Sequence, residues 1–103
     1  MITYLSLLLL AQLDWRAAAD RYKASGDASA ALAIVQKQQP RSSALEDETG
    51  FLLAALRRRP EAIARFREAI RLSPANAAAH YHLGVALWLE GDRESALDRK
   101  SVG

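Results

Sequence analysis

The sequence predicts an all-α fold of stacked antiparallel helix pairs, and three observations predict it. Roughly one residue in five is Ala, the residue with the highest helix propensity and a side chain small enough for helices to approach closely. Val, Ile and Thr are sparse, so strands are disfavoured. Gly and Pro cut the chain into short stretches whose apolar residues recur at helical spacing. The punctuation itself repeats: Pro40 and Pro74, Gly50 and Gly84, and Ala62 and Ala96 each stand 34 positions apart. One offset shared by three pairs of different residue types marks a two-helix unit repeated in tandem.

Length and charge bound the rest. A chain of 103 residues makes one small domain. Its 50% hydrophobic and 25% charged residues are ordinary for a globular protein. The formal net charge is +2 with both signs interspersed, too weak a bias to imply nucleic acid or a membrane surface. The absence of Cys excludes disulfides, thiolate catalysis and thiolate metal sites.

The elements follow in order. Residues 1–11 form an apolar N-terminal segment, unbroken leucine from Leu7 to Leu10. It is too short to span a bilayer, which takes about 20 apolar residues. It reads as a helix extension that covers the first face of the stack. The alternative, a secretory signal, lacks the basic start and the paired small residues of a cleavage site. The favoured compartment is therefore the cytoplasm; a signal would make it periplasmic or secreted. Breaks then fall at Gly26-Asp27, Pro40, Arg59-Pro60, Pro74 and Gly91-Asp92. Ser43 followed by Glu46 fits a capping box. Pro60 suits a first helical turn, and Asp27, Asn76 and Asp92 suit N-caps. Ile63, Phe66 and Ile70, flanked by Ala62 and Ala69, make one apolar stripe. Arg65, Arg67, Glu68 and Arg71 fall elsewhere around that helix.

In these residues the chain resembles the tetratricopeptide repeat family. The unit from about Ser43 to Asn76 shows Gly50 at the small site of the first helix and Ala62, Phe66, Ala69 and Pro74 at the second-helix and closing sites. The next shows Leu83-Gly84, Leu87, Gly91-Asp92 and Ala96. An earlier, more degenerate unit shows Trp15, Ala18-Ala19, Tyr22, Gly26-Asp27 and Ala31. The resemblance divides residues 12–103 into repeats of about 12–42, 43–76 and 77–103, the last incomplete. It implies a right-handed superhelical stack, an α solenoid, with first helices lining the concave face. Trp15, Tyr22, Phe66 and Leu83 are expected to fill the spaces between helices, and Gly50, Gly84, Ala62 and Ala96 to let them cross.

The departures are specific. The first repeat reaches Pro40 early, so its second helix is short or bent. Glu46 takes an aromatic site, Arg57-Arg58 replace Gly-Asp, and Lys100 takes another aromatic site. After Asp98 the pattern ends, as in a fragment of a longer protein or a chain with an unrelated tail. The last helix is left with an unfinished apolar face from Leu87 to Leu97, from which self-association is expected.

Carried over position by position, the family's groove falls on Arg16, Asp20 and Lys23, then Asp47, Phe51 and Ala54, then Tyr81, Val85 and Trp88. Exposed aromatics beside charges suit a peptide or partner helix; the plainer reading packs Phe51, Val85 and Trp88 between repeats. A variant of the family grips a C-terminal carboxylate with Lys, Arg and Asn. Here the matching positions hold Arg16, Asp20, Glu48, Ala78 and His82, and only Arg16 suits that task. His80 and His82, two apart on a helix, point to nearly opposite sides and share no ion. His80 is expected in the core and His82 in solvent. Arg57-Arg58-Arg59 reads as a solvated turn rather than a phosphate site. Consecutive Glu46, Asp47 and Glu48 splay apart and make no acid/base pair. With no phosphate loop or nucleophile motif, the expected function is a scaffold for protein or peptide partners, not an enzyme. No cofactor, metal or nucleic acid is expected. The alternatives are a cap or spacer in a longer array, or a regulatory module of an absent catalytic domain.

Overall fold

The computed structural model describes residues 15–102, with side chains as far as Glu94; the expectations for residues 1–11 lie outside these. The described residues form five α-helices and no strand: α1 (15–24), α2 (Ala28–Gln36), α3 (Ser43–Ala55), α4 (Arg59–Leu72) and α5 (Ala77–Val102). α2 packs on α3, α3 runs along α4, and α5 lies against α4 and α3. None of these helices is long and apolar enough to cross a membrane.

The reversals between helices are built from local chemistry. At the end of α1, Gly26 takes φ +82° while Asp27 N–H reaches back to the Tyr22 carbonyl at 2.8 Å. This is a Schellman turn, which stops a helix by satisfying its last carbonyls. Asp27 then caps α2, accepting from the Ala30 N–H at 3.0 Å. The same turn recurs after α3 without glycine: Arg57 adopts φ 62°, and Arg58 N–H donates to the Leu53 carbonyl at 2.9 Å. A left-handed non-glycine residue costs about 1–2 kcal/mol, so the replacement of Gly-Asp by two arginines is absorbed at a price in strain. Pro60 occupies the first turn of α4, and the Asn76 side chain accepts from Ala79 N–H at 3.1 Å to start α5.

The cap of α3 differs from the expected box. Ser42, not Ser43, is the N-cap and accepts from Leu45 N–H at 3.2 Å, which puts Glu46 one position too far along to close a box. Ser43 works elsewhere: its hydroxyl donates to the Ala69 carbonyl at 2.7 Å and accepts from the Asn76 amide at 2.8 Å, joining the end of α4 to the start of α5.

The core runs through the helix pairs. Phe66, Leu52 and Val35 are its largest fully buried side chains, and Ala62 and Ala69 are wholly covered. Trp15 and Ala19 of α1 join Ala31, Leu32 and Val35 of α2 in the same cluster, and Leu83 of α5 packs on it partly buried. Gly50 is the closest approach: a Cβ there would stand 2.5 Å from Cε1 and 2.7 Å from Cδ1 of Phe66.

Other packing expectations are corrected. Tyr22 is exposed, at 42%. α1 ends two residues later, and α2 opens with Ala28, Ser29, Ala30 and Ala31, side chains too small to cover a phenol ring. Pro74 is an exposed turn residue that ends the α4 pair rather than a packing element. Gly91-Asp92 forms no turn, and Asp92 caps nothing, because α5 continues unbroken through both to Val102. A reversal there gives up intrahelical hydrogen bonds and repays them only if the returning segment buries enough apolar surface. Residues 92–102 offer chiefly Ala96, Leu97 and Val102. Gly84 is consequently open, with nothing within 4 Å of a Cβ, and Ala96 lies on the straight helix, its side chain outside those described.

Glu46, placed where the repeat has an aromatic residue, is buried with its side chain 3% exposed. Arg41 Nε bonds one carboxylate oxygen at 2.7 Å and Arg65 Nη1 the other at 2.9 Å. Arg41 also donates to the carbonyls of Val35 (2.7 Å) and Gln38 (3.1 Å) and to the Thr49 hydroxyl at 2.9 Å. Thr49 donates onward to the Leu45 carbonyl. The network ties α2, α3 and α4 together and leaves no buried side-chain polar atom among the described residues without a partner.

Two predictions follow from this packing. Gly50→Ala, despite the helix propensity it gains, forces the Phe66 ring to move and destabilises by about 1–3 kcal/mol, whereas Gly84→Ala stabilises by about 0.5–1 kcal/mol. Urea unfolding at low micromolar chain concentration reads both, and equal signs refute the assignment of the close contact. Glu46→Ala leaves the part-buried Arg41 without its carboxylate and costs about 3 kcal/mol, the lower end of the range for breaking a buried pair. Arg65→Ala, at a half-exposed partner, costs under about 1 kcal/mol in the same assay.

Candidate partner-binding groove

α3 and α5 lie side by side over α4, and their outward faces form a groove of about 390 Å³. Phe51, Ala54, Tyr81, Val85 and Leu89 wall it, and Phe66 and Ala86 form its floor. The apolar side chains along it are open to solvent: Phe51 is 41% exposed, Val85 40% and Tyr81 70%. Trp88, at 69%, stands one turn further along α5, beside a shallow trough with His80, Tyr81, Gly84 and Val85.

Polar residues frame this apolar strip. His82 Nδ1 lies 2.8 Å from the Asp47 carboxylate. Its ring is clustered with Phe51, Phe66 and Tyr81 at centroid distances of 5.6, 5.5 and 5.8 Å. Lys23 of α1 bonds Glu48 at 2.7 Å and lies 5.1 Å above the Phe51 ring, a cation–π geometry. At the other end Arg59 approaches Glu90 at 3.4 Å. Burial pushes the Lys23 amine down, but the hydrogen bond and charge of Glu48, with those of Asp20, outweigh it and hold the amine above its ordinary value.

Of the nine positions expected to line a groove, Lys23, Asp47, Phe51, Ala54, Tyr81 and Val85 converge here. Trp88 extends the strip along α5. Arg16 does not join them: its guanidinium packs 5.2 Å over the Trp15 ring. Asp20 reaches the site only through Lys23, at 3.6 Å. The two histidines exchange their expected places. His80 is exposed, its Nε2 2.9 Å from the Pro74 carbonyl, while His82 is inserted between helices. The signal for His82 lay in the repeat: it stands 34 positions after Glu48, and both reach back to the preceding first helix, Glu48 to Lys23 and His82 to Asp47.

The sequence model described as TPR repeat matches residues 58–91, which run from the cap of α4 to Gly91 in α5 and so include most of the groove's floor and one wall. Over that stretch the chain carries a tetratricopeptide repeat. No curated relative and no solved structure matches it. Gly50 and Ala62, the small residues of the middle unit, sit buried where α3 crosses α4. The arginine run of this repeat protein is spent on structure: Arg57 makes the left-handed turn, Arg58 forks onto Glu61 at 2.6 and 3.0 Å, and Arg59 faces Glu90. The hydrogen bonds from Arg58, with its charge, hold the Glu61 carboxyl below its ordinary value against the opposing effect of desolvation.

The Lys23 pairing gives a pH prediction. Because the folded amine is raised, its contribution to stability is complete below the ordinary value of 10.5 and is lost as pH rises through the folded value. Glu48→Gln removes the main partner and brings the Lys23 amine down, read by NMR titration of its Cε. An unchanged titration curve refutes the ion pair.

Proposed function

We propose that this repeat protein is an interaction scaffold that takes an extended peptide or a partner helix in the groove between α3 and α5. The observation that carries the reading is the contiguous exposed strip of Phe51, Tyr81, Val85 and Trp88 above a packed floor. Aromatic anchors of this kind supply much of the energy of protein interfaces at low entropic cost. The charges at the rim are already matched, Lys23 with Glu48, Asp47 with His82 and Arg59 with Glu90. The site therefore favours a partner segment that is mainly apolar over a strongly charged one, nucleic acid included. Nothing in the groove pairs a nucleophile with a base, and the reading is of a binding site rather than a catalytic one. The units 12–42, 43–76 and 77–103 are the repeats on this reading. A spacer or cap of a longer array is the second reading, favoured by the uncovered Gly84 and Leu87 on α5.

A random peptide library panned against the chain tests the choice. Bound peptides are expected to be apolar or aromatic at spaced positions. Tyr81→Ala combined with Trp88→Ala weakens them at least about tenfold while shifting stability by no more than about 0.5 kcal/mol per site, as for exposed residues. Peptides that bind both forms equally refute the groove; a library without binders leaves the spacer reading.

A further inference from the structure

His82 lines the groove between α3 and α5 with only part of its hydrogen-bonding capacity used. Its Nδ1 lies 2.8 Å from the Asp47 carboxylate. An ionised carboxylate only accepts, so the hydrogen sits on Nδ1 and the Nε2 of the neutral ring is left as an acceptor. Among the described residues Nε2 meets no partner, and none of their buried side-chain polar atoms is unpartnered, so Nε2 is open to the groove that the residue lines. The rings of Phe51, Phe66 and Tyr81 lie within 5.8 Å of the imidazole. Pairing and packing together fix both the tautomer and the pose of the ring.

An acceptor held among aromatic rings limits what can cover it. A wholly apolar side chain laid over His82 takes water from Nε2 and returns no hydrogen bond, which a site of this kind penalises. A carboxylate sets a second acceptor against Nε2. A cationic side chain meets Lys23, already 5.1 Å over the Phe51 ring, and Arg59 at the far end. A phenol or a backbone amide does donate, but each brings acceptor lone pairs that Ala54, Val85 and Leu89 leave unmet. What remains is a large apolar side chain with one donor and no acceptor, and the indole of tryptophan is that group.

We propose that the groove selects a tryptophan of the partner, its ring laid among Phe51, Tyr81 and Val85 and its indole N–H donated to Nε2 of His82. The assignment rests on the groove reading above and names the side chain that the groove anchors. A volume of about 390 Å³ lies near the lower end of ligand pockets, roughly 300–1,000 Å³, and gives room for one large anchoring side chain. Asp47 is a positioning residue here: it touches no partner and acts by keeping the hydrogen on Nδ1. The hydroxyl of Tyr81 both donates and accepts, so the discrimination falls to His82.

The test uses the full chain, NMR and two small probes: N-acetyl-tryptophanamide, and N-acetyl-3-benzothienylalaninamide, in which sulfur replaces the indole N–H. The tryptophan amide is expected to shift the resonances of Phe51, His82 and Val85. It is expected to bind about fivefold more tightly than the sulfur analogue, the factor that one neutral hydrogen bond contributes. In the wild-type imidazole spectrum the hydrogen is expected on Nδ1, and the Nε2 resonance is expected to move with the tryptophan amide and not with the analogue. His82→Phe keeps a ring but removes the acceptor, and is expected to bring the two affinities together. Equal affinities for the wild-type groove, a hydrogen on Nε2, or a preference that survives His82→Phe overturns the assignment to His82 while leaving the groove as a binding site. Shifts from neither probe, or only at residues away from the groove, overturn both.

Discussion

The contact between Gly50 and Phe66 is the constraint on which the rest of the structure depends. It fixes the separation of α3 and α4, because no side chain at position 50 leaves room for the ring. The ring is 2% exposed, and it lies 5.5 Å from the His82 ring of α5. One side chain thus spaces a helix pair and provides the floor on which the next first helix sits. The distance between α3 and α5, and with it the width of the groove, follows from how deeply Phe66 is seated. Interiors packed at crystal density transmit such displacements rather than absorb them.

Around this contact the middle repeat tolerates two departures from the repeat pattern, and each is compensated by a different kind of chemistry. Glu46 replaces an aromatic residue, and burying a carboxylate alone is prohibitive. Arg41 and Arg65 meet both of its oxygens, and Arg41 spends its remaining donors on Val35, Gln38 and Thr49. The segment after Pro40 thereby becomes part of the core's polar support. Arg57 replaces glycine, and there the backbone simply bears the left-handed conformation, since the Schellman hydrogen bonds and the packing of α3 on α4 hold it. Side-chain identity at these positions is negotiable as long as the helix spacing set by Gly50 is not.

The offset of 34 made the helix pairs, with Gly50 and the covered Ala62, legible in the sequence, while the groove positions came only from the resemblance to the repeat family. Gly50 and Ala62 obey a period, and a period is a statement about geometry. What escaped was set by neighbours that the period does not name. Ser42 rather than Ser43 begins α3 because Ser43 is taken by Ala69 and Asn76, 26 and 33 positions away. His82 rather than His80 is inserted because Asp47 and two rings receive it. Tyr22 lies outside because the start of α2 is alanine. The straight course of α5 escaped for a related reason: Gly91-Asp92 permits a turn, but permission is not a driving force. The same dipeptide at Gly26-Asp27 does turn, since α2 returns with Ala31, Leu32 and Val35 to bury.

That contrast separates two tasks on α5 that a single helix performs on neighbouring arcs. Successive residues advance by about 100°, so Tyr81, Val85 and Trp88 share one arc and His80, Gly84 and Leu87 the next. The first arc, with Phe51 across from it, faces the groove and takes its shape from α3 and from Phe66. The second is the arc that a second helix covers in the preceding pair, where α4 buries Gly50 and Leu53. The groove is thus complete without the covering helix, because its walls and floor come from α3, α4 and the first half of α5 alone. A repeat stack grows by adding cover to one arc while the other stays open, and the groove proposed for a partner is therefore formed before that cover is added.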